Sequence, residues 1–90
     1  MPTKEKVTKV IDGDTFMTDK RKNAVRLANV DTPEKKQPGF QIAKKELEKL
    51  IKDKEVSIET VARDKYGRSV ANVKIKTRSV NKVMKKHQKK

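Results

Sequence analysis

Apolar residues recur along the chain in two different periods, and the switches between them mark out the elements. The stretch near residues 5 to 11, which contains KVTKVI, and Thr15–Asp19 are short and β-rich. Asp12-Gly13, a dipeptide that favours tight turns, joins them, so they read as a hairpin. NAVRLANV at residues 23–30 gives a third strand. Asp31-Thr32-Pro33 ends it, since Pro33 cannot donate to a ladder and drives Thr32 extended. From Pro38 the period lengthens. Phe40, Ala43, Leu47, Leu50 and Ile51 fall on one face and Lys44, Lys45, Glu48, Lys49 and Lys52 on the others, which predicts an amphipathic helix of about four turns. The Glu48 and Lys52 pair, at i and i+4, adds favourable charge spacing. Alternation then returns at Val56 and Ile58, and again at Ala71, Val73 and Ile75. Asp64-Lys65-Tyr66-Gly67 is the turn between these two strands, with Gly67 supplying backbone freedom. Behind a Ser79 cap, Val80, Val83 and Met84 begin a second, short helix within residues 79–87.

Five strands with one helix between the third and fourth predict an α+β class that is mainly β. The expected architecture is a five-stranded OB-fold-like barrel with a short C-terminal helix, whose closed sheet hides its edges. No repeat or low-complexity linker interrupts the pattern, so residues 1–90 are expected to form one domain with a basic, polar tail from about Lys85. Hydrophobic residues make up 32% and aromatics 3%, so the core must be thin. High charge with few aromatics is also a mark of disorder, but the alternations across residues 5–76 oppose that reading. A chain of 90 residues excludes a large multi-layer enzyme.

Charge changes the picture more than size does. There are 25 Lys and Arg against 12 Asp and Glu, a formal charge of +13. After Asp64 the last 26 residues hold ten basic side chains and no acid, a block that repels itself unless a polyanion lies near. Residues 12–34, by contrast, hold five of the twelve acids. Turn chemistry accounts for any one of these aspartates taken alone. The absence of cysteine excludes disulfides, thiolate zinc sites and a Cys nucleophile, without fixing the compartment. No apolar run approaches the roughly 20 residues that span a bilayer, and MPTKEKVTKV has no apolar leader region. The expectation is a monomer acting away from membranes, secreted if a leader has been removed and cytoplasmic otherwise.

Asp14 and Asp31 fall at the ends of two strands of one small sheet. Two carboxylates with a carbonyl and waters form the hard oxygen site that Ca²⁺ accepts, and no His or Cys stands nearby to suit zinc. The one histidine, His87, sits in the basic tail as an incidental surface residue. Of five arginines, Arg26 and Arg68 lie inside the conspicuous motifs, and a guanidinium can hold two phosphate oxygens where a lysine cannot.

Three motifs carry a resemblance: Ile11-Asp12-Gly13-Asp14-Thr15, then Arg26-Leu27-Ala28-Asn29-Val30-Asp31-Thr32-Pro33-Glu34, then Asp64-Lys65-Tyr66-Gly67-Arg68. In this order, with the intervening helix, the chain from Val7 to about Met84 resembles the staphylococcal nuclease (thermonuclease) family. The resemblance implies that Asp14 and Asp31, assisted by the Thr32 carbonyl, bind Ca²⁺, with Mg²⁺ or Mn²⁺ less suited, and that Asp12 is structural. It implies Glu34 as general base for the attacking water, near the metal and not on it. Arg26 and Arg68 become clamps on the phosphate, and Lys65 and Tyr66 contacts to a substrate phosphate. The implied function is calcium-dependent hydrolysis of DNA and RNA phosphodiesters, breaking the bond to the 5′ oxygen and leaving 3′-phosphate ends.

Two departures from the family stand out. The Lys35–Gln37 loop is shorter, which affects how Glu34 is held. The family also continues from its second helix into a third helix and later tyrosines that stack on a base, which a sequence running to Lys90 does not supply. The alternative is an OB-fold module that binds nucleic acid without cutting it. Loss of Asp14, Arg26, Asp31, Glu34 or Arg68 would favour that alternative, and all five are present. A scaffold that binds no nucleic acid explains neither the acidic knot nor the acid-free final third.

Overall fold

The computed structural model describes residues 2–88. Its elements are β1 (Thr3–Asp12), β2 (Thr15–Thr18), β3 (Val25–Leu27), α1 (Phe40–Ile51), β4 (Glu55–Arg63), β5 (Ser69–Ile75), β6 (Arg78–Ser79) and α2 (Val80–Met84), followed by a 3₁₀ turn over Lys85–His87. The strand order is β3-β2-β1-β4-β5-β6, and a further parallel pairing of β3 with β5 closes the first five strands into a barrel. The mainly β, OB-fold-like class expected from the pattern is therefore the observed one.

Inward positions are those the alternation selects: Val7 and Val10 on β1, Val25 and Leu27 on β3, Val56 and Ile58 on β4, Ala71 and Val73 on β5. On β1 the inward spacing lengthens to three between Val7 and Val10, because the register with β2 slips between Val7 and Lys9. Helix α1 covers the barrel with Ala43, Leu47 and Ile51 buried and Leu50 partly so. It is shorter than predicted. Gly39, at φ 89°, starts it, and Lys52, in an extended conformation, ends it.

The third strand is also shorter than the expected 23–30. Asn29 takes a left-handed conformation at φ 59° and turns the chain, although the Ala28 N–H still donates to the Ala71 carbonyl at 2.8 Å. The pattern missed β6, a two-residue strand whose Ser79 and Arg78 pair with Lys74 and Ile75 across a turn in which Lys76 has φ 56°. Ser79 caps α2 as expected, accepting the Lys82 N–H at 3.2 Å. The second helix expected within residues 79–87 runs as α2 over Val80–Met84 and continues as a 3₁₀ turn over Lys85–His87, which buries none of its residues. Of the expected basic tail, Lys89 and Lys90 lie outside the described residues.

Two buried polar groups tie the barrel together, and neither is visible in the alternation. Asn81 accepts the Val73 N–H at 2.8 Å and donates to the carbonyls of Ala28 and Ala71, stitching α2 onto the seam where β3 meets β5. Glu5 points inward two residues before Val7, and Arg21 Nε reaches both of its carboxylate oxygens at 2.9 Å. Thr3 and Thr18 each donate to Glu5 at 2.6 Å, and Arg21 Nη1 donates to Thr60 and Ser69, so one guanidinium joins the β2–β3 turn to β4 and β5. Burial alone would raise the Glu5 carboxyl. The hydrogen bonds from Thr18, Thr3 and Arg21, with the Arg21 charge, outweigh it and hold the group below the usual range.

Candidate active site

The β1–β2 turn presents Asp14 by a local device. Asp12 Oδ1 accepts the Asp14 N–H at 3.1 Å, an Asx turn that fixes the loop. Gly13 is required by space and not by its torsion: a Cβ there would lie 2.6 Å from the Ala43 Cβ and 2.7 Å from Thr32 Oγ1. Helix α1, the Asp12–Asp14 turn and Thr32 thus pack against one another. Burial, with the hydrogen bond and charge of Asp14, pushes the Asp12 carboxyl up to about 6, while the Asp14 N–H and Thr15 pull the other way.

Asp14 is buried at 6% exposure and fully engaged. Thr15 Oγ1 donates to its Oδ1 at 2.9 Å, and the Thr32 N–H approaches its Oδ2 at 3.3 Å. Arg26 Nη2 lies 3.5 Å from Asp14 Oδ2 and 3.6 Å from Asp31 Oδ1, so one nitrogen bridges the two carboxylates. Their separation can be no more than the sum of those two distances. Thr32 is buried as well, and its Oγ1 has no hydrogen-bond partner. A buried hydroxyl without a partner is costly unless something completes it.

Carboxylate and hydroxyl oxygens are what lie together here, a donor set suited to a hard divalent cation. Asp14, Asp31 and Thr32 fit such an ion. Among the described residues no group of three or more His, Cys, Asp or Glu side chains could hold a metal, so two carboxylates are the charged part of the set.

Arg68 belongs to a second cluster. Asp64 Oδ1 accepts the N–H groups of Tyr66 and Arg68, and its Oδ2 takes Arg68 Nε at 2.6 Å. Burial would raise the Asp64 carboxyl, but these hydrogen bonds and the Arg68 charge prevail and lower it. Gly67, at φ 81°, lets the turn close. With Nε held, the two Nη groups of Arg68 make no hydrogen bond among the described residues. The Tyr66 ring is 70% exposed, with Lys65 Nζ 5.3 Å and Arg68 Cζ 5.4 Å from its centroid.

Register relates the two clusters. Arg26 pairs with Val70 across the parallel β3–β5 seam, while Val25, Leu27, Ser69 and Ala71 point inward. Alternation carried back from Val70 puts Arg68 on the same outer face as Arg26. Glu34 lies on the exposed segment after buried Pro33, where its N–H donates to Gln37 Oε1 at 2.8 Å. Its carboxylate has no hydrogen bond or ion pair among the described residues. The structure thus joins Asp14, Asp31, Thr32 and Arg26 by direct contacts and gathers Lys65, Tyr66 and Arg68 in one turn. It carries Glu34 on the same β3–α1 connection as Asp31 and Thr32, with no side-chain hydrogen bond or ion pair to either cluster among the described residues.

This grouping follows three motifs in fixed order on a closed barrel, and residues 24–87 match the family described as staphylococcal nuclease homologue. The chain belongs to that family. The matched residues take in Arg26, Asp31, Glu34 and Arg68 and begin after the Asp12–Asp14 turn. The chain is similar to an "Uncharacterized endonuclease" of Escherichia coli O157:H7, 39% identical over 70 residues, covering 76% of this chain and 46% of the relative. An "Uncharacterized endonuclease" of Haemophilus influenzae is 38% identical over 79 residues, covering 84% and 44%. "Protein ParB" of Escherichia coli is 35% identical over 69 residues, covering 74% and 39%. The chain therefore spans less than half the length of these relatives. No helix among the described residues is long and apolar enough to cross a membrane.

Proposed function

We propose that this staphylococcal nuclease barrel hydrolyses phosphodiester bonds of DNA and RNA with the help of Ca²⁺. The observation that carries the reading is the meeting of Asp14 and Asp31 on Arg26, beside the buried, unpartnered Thr32 hydroxyl. The endonuclease names of the relatives from Escherichia coli and Haemophilus influenzae support it.

Asp14, Asp31 and Thr32 would hold the cation, which when bound supplies positive charge to polarise a phosphate oxygen. Every other task falls to the chain's own side chains. Arg26, on the same outer face as Arg68, neutralises charge on the non-bridging oxygens as it builds. Arg68 has its Nε tied to Asp64 and both Nη groups available, an orientation suited to gripping two phosphate oxygens at once. Glu34, whose carboxylate has no partner among the described residues, takes the proton from the attacking water. Lys65 and Tyr66 flank this fork and contact a neighbouring phosphate. The bond broken is the one to the 5′ oxygen, and the products carry 3′-phosphate ends.

The test is incubation of single-stranded DNA and RNA with the protein in Ca²⁺, Mg²⁺, Mn²⁺ or EDTA, with the product ends identified. Cleavage in Ca²⁺ that yields 3′ phosphates and stops in EDTA is expected. Tight binding with intact strands in every metal would replace this reading with the non-cleaving module.

A further inference from the structure

We infer that a cleft beside the Asp64–Arg68 turn, floored by Arg21 and flanked by Lys22 and Arg63, seats a phosphodiester of the bound strand outside the position that is cut. The inference rests on the nucleic-acid part of the proposed function. The cleft is about 260 Å³ and is lined by Lys20, Arg21, Lys22, Asn23, Arg63 and Ser69.

Its charges are not equivalent. Arg21 is already balanced by Glu5, and Lys20 Nζ donates to the Lys4 carbonyl at 3.0 Å. Lys22 and Arg63 form no ion pair among the described residues. Of the acids adjacent in sequence, Asp64 is paired with Arg68. Asp19, whose Oδ1 accepts the Lys6 N–H, keeps its charge and offsets one of the three cleft cations without an ion pair among the described residues, Lys20, Lys22 and Arg63. Positive charge is thus left over at a concave place, where a field is focused.

The cleft is also held in shape. Arg21 is bonded to Glu5, Thr60 and Ser69, which fixes the β2–β3 turn carrying Lys22 against β4 and β5. Arg63 is the register partner of Ser69 at the end of β4, immediately before Asp64. Donors on an anchored ledge lose little freedom when they grip an anion.

Position gives the cleft its part. A Cβ on Gly67 would lie 3.1 Å from Asn23 Nδ2, so the turn that carries Lys65, Tyr66 and Arg68 abuts the cleft wall. A strand whose reacting phosphate lies at the Arg68 fork passes Gly67 and Asn23 and brings another phosphate over Lys22 and Arg63. Contacts of this type position a strand without reading its bases.

The test compares wild type with the double variant Lys22→Gln/Arg63→Gln, each single variant, and the control Lys45→Gln/Lys49→Gln on the exposed face of α1. The control removes the same net charge. Binding of a single-stranded DNA dodecamer is measured in EDTA across a salt series, and turnover of the dodecamer and of a dinucleoside monophosphate is measured in Ca²⁺. The dinucleoside has only the reacting phosphate.

In the double variant, dodecamer affinity is expected to fall about tenfold, with the salt slope reduced by roughly 0.7 for one lost single-strand phosphate contact. Each single variant shows part of that loss, the control keeps the wild-type slope, and dinucleoside turnover stays within about twofold of wild type. Equal losses in the control and the double variant would reduce the cleft to bulk charge and overturn the inference. So would a matching fall in dinucleoside turnover, which would move Lys22 and Arg63 into the reacting site. If wild type cuts neither substrate yet its binding still depends on Lys22 and Arg63, the phosphate seat stands and the nuclease reading fails, so the two are separable.

Discussion

Arg21 sets its Nε 2.9 Å from both carboxylate oxygens of Glu5, at the edge of a barrel whose core is mainly apolar. Removing one member of such a pair leaves the other charged and dry. Arg21→Gln is therefore expected to cost about 2 to 3 kcal/mol, less than the roughly 3 to 5 of a fully buried pair because the Arg21 side chain is partly exposed. Thermal unfolding should fall by roughly 10 °C or more for a domain of this size. A midpoint within a degree or two of wild type would show that the pair contributes nothing net.

Acid should weaken the same link. The Glu5 carboxyl lies below its ordinary value of 4.5 in the folded state, so its contribution is complete above that pH and is lost as pH falls through the lower folded value. Glu5→Gln should be less stable than wild type at pH 7, and the gap should narrow below about pH 4.5. Parallel denaturation curves for the two proteins from pH 7 to 3 check this, and a constant gap would contradict it.

Asp12 works in the opposite sense. Its carboxyl is raised to about 6 when folded, against 3.8 ordinarily, so the folded state binds the extra proton and stability declines as pH climbs through that window. Asp12→Asn keeps an oxygen for the Asp14 N–H and has no such titration. Measured in EDTA, it should gain about 1 to 2 kcal/mol on wild type between pH 4 and pH 7, after discounting for a half-exposed group. A variant that gains nothing over that interval would show that Asp12 is not strained by Asp14.

The two aspartates of the site should behave differently when truncated. Asp31 is half-exposed, and Asp31→Ala should leave the fold near wild type. Asp14→Ala strips buried Thr15 and Thr32 donors of their acceptor and should cost about 1 to 3 kcal/mol. Both are expected to abolish Ca²⁺ binding in titration calorimetry. Retained Ca²⁺ affinity in either would remove that residue from the metal site.

Which of these groups could be read from the sequence depends on how local their partners are. Helix α1 follows from its own periodicity, and the Asp12–Asp14 and Asp64–Arg68 turns from chemistry spanning two to four residues. The family motifs brought in Arg26 and Glu34. Asn81, by contrast, bonds Ala28 across 53 positions, and Arg21 reaches Ser69 across 48, so no window of sequence contains both ends. One signal for Glu5 was present. It lies two residues before Val7 on an alternating strand, an inward position where a carboxylate must find a cation. The early end of β3 depended on Asn29 turning left-handed, a choice the strand pattern NAVRLANV conceals.

Arg68 decides between catalyst and binder. Its Nε is fixed to Asp64 at 2.6 Å, which leaves a planar pair of Nη groups aimed by the turn. Lysine would keep the charge but could not hold Asp64 and offer two parallel donors together. If Arg68 serves only to attract polyanions, Arg68→Lys should be nearly silent, since 24 other bases share the field. If the fork tightens on phosphate as charge develops, turnover should drop on the order of 10²-fold with little change in affinity. Arg78→Lys is the matched control, on exposed β6 and outside both clusters. Single-turnover cleavage and equilibrium binding of both variants separate the cases. Equal, small effects on cleavage would remove Arg68 from the phosphate clamp and leave the barrel a binding module.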